Sequence, residues 1–385
     1  MKKILPVIVI SQFLCTSLWF AGNAIMGDIS KQYQLDHSFL AYLTSTVQLG
    51  FIAGTLVFSI LSISDRFSPS LVFLVCATIA AIVNLGITIN GIGLSALLSL
   101  RFLTGFFLAG IYPVGMKIAS DHEERGLGKS LGFLVGALVI GTAFPHLLKS
   151  FTAFPWRYVI FTTSLLSVAG GLAILVFVPD GPFRKTSQHF SFSSFLSCFR
   201  SKKFRAVAFG YFGHNWELYA FWVFVPAMLM NYQTHHPMAN LNIPLLSFFI
   251  IGIGGLACVI SGLVSQQIGA KKVATFTLGL SCLCCLLSPL VLANNSATVL
   301  IVFLLIWGMA VVADSPLFST LVAQNAVAEA KGTALTIVIC IGFALTIVSI
   351  QLISALRTPN NEHFIYLLLA IGPIFGLISL ARDKA

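Results

Sequence analysis

The chain predicts an all-α integral membrane protein with twelve transmembrane helices in two pseudo-symmetric six-helix bundles. Three observations carry that expectation. Of 385 residues, 57% are hydrophobic and only 9% are charged, where an average soluble domain is about 25% charged. The apolar residues fall in runs of about 20, the length needed to cross roughly 30 Å of hydrocarbon. Features of the first half also recur in the second, as repeated membrane units do. The first two observations exclude a soluble globular domain and a disordered chain.

The apolar segments run near 4–27, 39–61, 70–89, 94–117, 130–149 and 157–178, then 206–229, 243–265, 273–292, 298–321, 333–354 and 363–380. Lys2 and Lys3 give the first run the look of a leader peptide. That run continues past Trp19 to about Met26 and opens the series, so it reads as a retained helix. The longest polar interruption, 179–205, opens on Pro179-Asp180-Gly181-Pro182. It sets the expected domains: an amino-terminal bundle over 1–178, a linker over 179–205 and a carboxy-terminal bundle over 206–385.

With the amino terminus in the cytoplasm, all but Lys31, Arg101, Lys149, Arg157 and Arg357 of the 22 Lys and Arg fall at the cytoplasmic side. The positive-inside rule then places both termini and the linker in the cytoplasm, and the expected location is the cytoplasmic (inner) membrane. The net charge of +10 is thereby a topology signal, and no nucleic-acid partner is expected. All cysteines except Cys198 lie in apolar runs. Cys282 and Cys285 sit among Leu and Ser, and read as packed thiols with no metal or redox site.

The repeat is visible in particular residues. Gly105 to Pro113 in the fourth segment matches Gly308 to Pro316 in the tenth. The turn Glu124-Arg125-Gly126-Leu127-Gly128-Lys129 leads into the fifth segment as Glu329-Ala330-Lys331-Gly332-Thr333 leads into the eleventh. Asp65-Arg66 follows the second segment, and Gly262-x-x-x-Gln266-x-x-Gly269-x-Lys271-Lys272 closes the eighth. On these residues, and on Arg101, Gly105, Ala109-Gly110 and Tyr112-Pro113, the chain resembles the major facilitator superfamily of secondary transporters. The inner-loop motif departs from the family pattern at Leu61, Ser68 and Gln266. The resemblance implies two bundles about a pseudo-two-fold axis, with a solute site between them alternately open to either side. It also implies a conformational latch at Asp65 and Arg66 with Lys271 and Lys272.

Only Glu217 and Asp314 among the acids sit well inside apolar segments. Glu217 follows Arg205 by twelve residues, so it lies roughly 18 Å deep. An ionised carboxylate there costs about 2.5–3.5 kcal/mol even on a lenient insertion scale. It must face water, have a partner or carry a proton. His214 and Glu217 share one helix face, and Asn215, Tyr219 and Trp222 form the adjoining stripe. Asp314, beside Ser315 and Pro316, sits where the proline frees backbone carbonyls. Both a structural cap and an ion or substrate contact are open to it.

Glu217, His214 and Asp314 are therefore the expected proton-coupling residues. Expected substrate contacts are Arg101, Tyr112, Trp19, Asn23, Trp216, Tyr219, Trp222 and Ser315. Arg101 reads either as a snorkelling interface residue or as an interior contact for an anionic group.

The chain lacks a phosphate-binding Gly-x-x-x-x-Gly-Lys-Ser/Thr loop and a His-Glu-x-x-His zinc motif. The expected protein is a proton-coupled secondary transporter of a small polar or ionised organic solute, a symporter, acting as a monomer in the bilayer without cofactor or metal. The alternatives are a proton-driven efflux antiporter of amphipathic compounds and, in another class, an intramembrane hydrolase using Glu217 and Asp314. One topology test follows. A cysteine introduced as Ser187→Cys should resist an impermeant maleimide in intact cells and react once the membrane is permeabilised. Labelling from outside would reverse the orientation.

Overall fold

The computed structural model describes residues 4–35, 39–122, 127–151, 155–184, 192–327 and 330–382. Among these residues every regular element is helical. The first half holds α1 (Ile4–Thr16), α2 (Phe39–Ile60), α3 (Pro69–Leu85), α4 in two pieces (Leu94–Leu108 and Tyr112–His122), α5 (Leu127–Ser150) and α6 (Arg157–Phe177). The second holds α7 (Lys202–His235), α8 (Ile243–Ile268), α9 (Ala270–Leu292), α10 in two pieces (Ala297–Ala313 and Ser315–Asn325), α11 (Lys331–Leu356) and α12 (Ile371–Ala381). Glu124 to Gly126 and Glu329, from the repeated turns, lie outside the described residues, as do the basic residues Lys2, Lys3, Arg125, Lys185 and Lys384.

Local sequence sets the helix ends. Ser201, Asn242 and Ser296 cap α7, α8 and α10, each side chain accepting a backbone N–H three residues on. Pro69 occupies the first position of α3, where its missing N–H costs nothing. Gly269 adopts φ 93° in the turn from α8 to α9, a conformation that L side chains disfavour.

Nine helices are long and apolar enough to cross a membrane among the described residues. The expected first segment, 4–27, is instead interrupted: α1 stops at Thr16, turns follow, and the chain resumes as Ala21–Ala24 and Met26–Tyr33. The last one enters through a 3-10 turn, Ile365–Ala370, which leaves α12 short. α7 spans 34 residues but carries a basic first turn and the polar run around Glu217, which lower its hydropathy. The expected bend at Pro316 is a true interruption at Asp314, and α4 breaks at the equivalent place, between Leu108 and Tyr112.

Packing repeats as the sequence does. α1 packs on α5 and α6, and α7 on α11 and α12; α2 packs on α4, and α8 on α10. The halves meet along two seams, α2 against α11 and α5 against α8, which are themselves related by the repeat. On the first seam, Gln351 donates to the Ser45 hydroxyl at 2.8 Å and Thr336 to the Ser59 hydroxyl at 3.1 Å. On the second, Gly132 and Gly136 of α5 face Cys258, Gly262 and Gly255 of α8 with backbone against backbone. Small residues do this in membranes because lipid supplies no hydrophobic drive, and close van der Waals packing must serve. Contacts on the first seam run from Ser45 to Ser59, and on the second from Gly132 to Gly136.

Gly105 shows how tight such contacts are. A Cβ there would run into the Val47 carbonyl oxygen, whereas one at Gly279 would meet nothing within 4 Å. Gly105→Ala should cost about 1–3 kcal/mol as overpacking and lower the thermal midpoint of the detergent-purified protein. Gly279→Ala should leave it unchanged or raise it, since Ala is the better helix former.

Candidate functional site

The interruption of α1 turns buried carbonyls away from helical partners. Arg101, fully buried on α4, supplies what they need. One Nη donates to the Leu18 carbonyl at 3.3 Å and to the Asn84 side-chain oxygen at 3.4 Å; the other donates to the Trp19 carbonyl at 2.5 Å. Asn84 is itself oriented by donating to Thr163 and Ser164 of α6. Arg101 is thus an interior residue that fixes the α1 break, and its planar fork suits two neighbouring carbonyls.

The break presents Trp19 and Phe20 to the other half. Trp19 stacks on Tyr219 of α7, with ring centres 5.7 Å apart and planes 27° apart, and touches Phe51 at 4.9 Å and Phe343 at 5.6 Å. Phe51 and Phe343 meet at 4.7 Å, Tyr219 and Trp222 at 5.0 Å. Phe20 lies edge-on to Trp222. Every one of these rings is buried. The indole nitrogens of Trp19 and Trp222, and both side-chain polar atoms of Gln48 on α2, are buried with no hydrogen-bond partner. Tyr112, opening the second piece of α4, lies within electrostatic reach of Tyr211 and Tyr219.

The opposite face of α7 carries the acid. Glu217 is buried and points into its own half, accepting from the Trp307 indole N–H at 2.6 Å and the Ser281 hydroxyl at 2.9 Å. The Cys285 thiol lies against the same carboxyl group. One turn earlier, His214 Nδ1 stands 2.7 Å from Asp314 Oδ1, both side chains buried. Asp314 sits in the break of α10, at the first turn of the second piece, where the helix dipole favours negative charge. The carbonyls freed beside it are taken up by α8: Cys258 donates to Val312 and Ser261 to Ala313.

The structure therefore brings Glu217, His214 and Asp314 into one buried group, and Trp19, Tyr219 and Trp222 into another at the bundle interface. It turns Trp216 and Asn23 away from these groups. Trp216 points to α12 and donates to the Leu368 carbonyl at 2.9 Å. Asn23 donates to Thr44 of α2 at 2.7 Å. Ser315 is half-buried beside Asp314. Of the latch residues, Asp65 pairs with Lys117 of α4 at 2.9 Å, Lys117 also reaches Asp121 at 3.4 Å, and Arg184 donates to the Asp65 carbonyl. Arg66 and Lys272 are exposed, and Lys271 is half-buried in the first turn of α9.

Sequence reading did not single out Trp307, Ser281, Phe51, Phe343 or Gln48. Trp307 and Gln48 carry a signal in being polar groups within long apolar segments; Phe51 and Phe343 carry none among 34 phenylalanines.

Two bundles of repeated packing thus meet at a cluster of buried rings, with two buried acids beside it. Residues 8–350 match the profile of the Major Facilitator Superfamily, and the chain belongs to that family. It is similar in structure to the human organic anion transporter MFSD10 (TETRAN), with a TM-score of 0.78 and 14% identity over 98% of this chain and 99% of that one. It is also similar to the nucleoside transporter NupG (D323A mutant), with a TM-score of 0.73 and 15% identity over 99% of this chain and 100% of that one. No curated protein matches the sequence. The chain is a transporter and not an enzyme.

A test distinguishes the two readings of Arg101. Arg101→Lys keeps the charge but loses the fork, and a hydrogen bond to a charged group contributes about 1.5–3 kcal/mol. The expected result is a lower thermal midpoint in detergent. An unchanged midpoint with weakened solute binding would make Arg101 a substrate contact instead.

Proposed function

We propose that the protein is a proton-coupled symporter of a small polar or ionised organic solute. The observation that carries this reading is the buried group of Glu217, His214 and Asp314 directly behind the aromatic interface, on the helix that supplies Tyr219 and Trp222 to it. Glu217 has partners for both protonation states. Ionised, it accepts from Trp307 and Ser281. Protonated, it donates to the Ser281 oxygen, whose hydroxyl turns to the Leu278 carbonyl 3.1 Å away. A hydroxyl that can reverse in this way holds the acid at similar geometry in either state, which a proton carrier requires.

Solute enters between the bundles, where Trp19, Tyr219 and Trp222 meet, and separation of the seams on one side at a time gives alternating access. The breaks in α4 and α10 are natural flexing points for it. Asp65 with Lys117 and Arg184 forms the latch on the side of the linker. Both termini and the linker 179–205 face the cytoplasm, between bundles 1–178 and 206–385. The three helices short of the nine complete twelve spans, in a monomer of the inner membrane. The solutes named for the similar structures, an organic anion and a nucleoside, fall within the proposed class.

A thermal-shift screen against metabolites supplies the solute, because a ligand stabilises the state it binds. Glu217→Gln should then abolish pH-driven accumulation in proteoliposomes while counterflow survives, since exchange needs no proton release. Asp314→Asn should act mainly on affinity. A Gln variant that still concentrates solute with unchanged proton dependence makes Glu217 structural. Proton-driven loss of solute from right-side-out vesicles makes the protein an exporter.

A further inference from the structure

A pocket separate from the bundle interface lies where the start of α7 meets the end of α12. The two helices cross closely at Gly210, Gly213, Gly372 and Gly376; a Cβ on Gly213 would collide with the Gly372 carbonyl. Beyond that crossing lies an open cleft of about 380 Å³, within the size range of ligand pockets. Its described lining falls into two parts. One part is cationic: Lys202, Arg205 and Arg382, joined by Ser379, with no carboxylate. The other is apolar: Ala206, Phe209, Phe375 and Ile378.

The two parts have a fixed order along the membrane normal. The cations occupy the first turn of α7 and the residue that ends α12, at the edge of the apolar helices. The apolar residues lie one turn further in. Phe209 meets Phe375 edge-on at 5.3 Å, and Phe375 and Ile378 are about half exposed on the lipid-facing side, at 52% and 48%. Arg205 is held in place by donating to the Phe199 carbonyl at 2.6 Å.

The cations of the described lining suit an anion. Lys202, Lys203 and Arg205 crowd the amino-terminal end of a long helix, where the dipole is already positive and cations are disfavoured. Arg382 adds a further positive charge from α12. An anionic group seated there offsets the mutual repulsion of these cations, while the carboxy-terminal end of α12 favours Arg382. A soluble anion would leave the exposed Phe375 and Ile378 without purpose, whereas a phospholipid fills both parts, phosphate among the cations and acyl chain along the rings.

We infer that the cleft between α7 and α12 is a binding site for an anionic phospholipid, its phosphate held by Lys202, Arg205 and Arg382 and its acyl chain laid over Phe209, Phe375 and Ile378. The lipid bridges the first and last helices of the second half at one end of the membrane. Because α7 also carries His214 and Glu217, the lipid clamps the helix that holds the buried acids.

The test uses the purified full-length protein in neutral detergent, titrated with phosphatidylglycerol, with phosphatidylcholine and with sodium glycerol 3-phosphate. Thermal midpoint and lipid retained in native mass spectrometry are read together. Phosphatidylglycerol should raise the midpoint and remain bound, and the other two should do neither. Lys202→Gln with Arg382→Gln changes two exposed residues and spares the Arg205–Phe199 contact, so the lipid-free midpoint should hold. Each cation near a membrane surface contributes about 1 kcal/mol of attraction, or roughly fivefold, so the double change should weaken phosphatidylglycerol binding about 25-fold. Lys202→Arg with Arg382→Lys should retain it. Equal binding of phosphatidylcholine, equal stabilisation by glycerol 3-phosphate, or an unchanged affinity in the Gln double variant would each overturn the lipid site.

Discussion

A peptide carbonyl released from its helix in hydrocarbon has no water to turn to, and the rest of this structure depends on how that constraint is met. Three helices are broken, and each break is answered differently. α1 is answered by a buried arginine that reaches two successive carbonyls. α10 is answered by a thiol and a hydroxyl from α8. α4 closes its own break with tight turns, Gly110 and Ile111 donating three residues back to Phe107 and Leu108. The candidate side chains sit where the regular ladder stops. Trp19 and Phe20 follow the break in α1, Tyr112 follows that in α4, and Asp314 occupies that in α10.

The unbroken α7 stands opposite these interruptions and divides labour between its faces. One face gives Tyr219 and Trp222 to the interface with the first half. The other keeps His214 and Glu217 among α9 and α10. In the proposed function, a change of packing at the rings would displace the same helix that positions the acids. That mechanical link needs no chain of intermediaries, because a helix transmits rotation directly. The buried donors left without partners at the rings, on Trp19, Trp222 and Gln48, carry a desolvation cost of about 1–3 kcal/mol each.

The two groups also differ in how readable they were. Glu217 and Asp314 stand out in sequence because a charge inside an apolar run demands an explanation. The structure answers with named donors for one and a histidine for the other. Trp216 was a reasonable companion by position, yet a rotation of about 100° per residue carries it from the interface to α12. Arg101 looked equally suited to an anion and to the interface. Only the location of the α1 break, which nothing in the sequence around Ser17 and Leu18 announces, shows which carbonyls it serves.

Composition, segment length and the repeated glycine–proline spacing by themselves determined a helical membrane protein of two related halves, and the motifs around Asp65, Arg101 and Gly262 carried the resemblance to its family. Those quantities follow from hydrophobic thickness and chain chemistry, which act one segment at a time. The partners of Asp65, Glu217 and Asp314, the contacts across both seams and the exclusion of Trp216 from the ring cluster were decided by tertiary structure alone. Each depends on how far one helix is turned and slid against another. A rotation of a few tens of degrees exchanges neighbours while leaving every segment as apolar as before, so the sequence of a single helix holds no record of it.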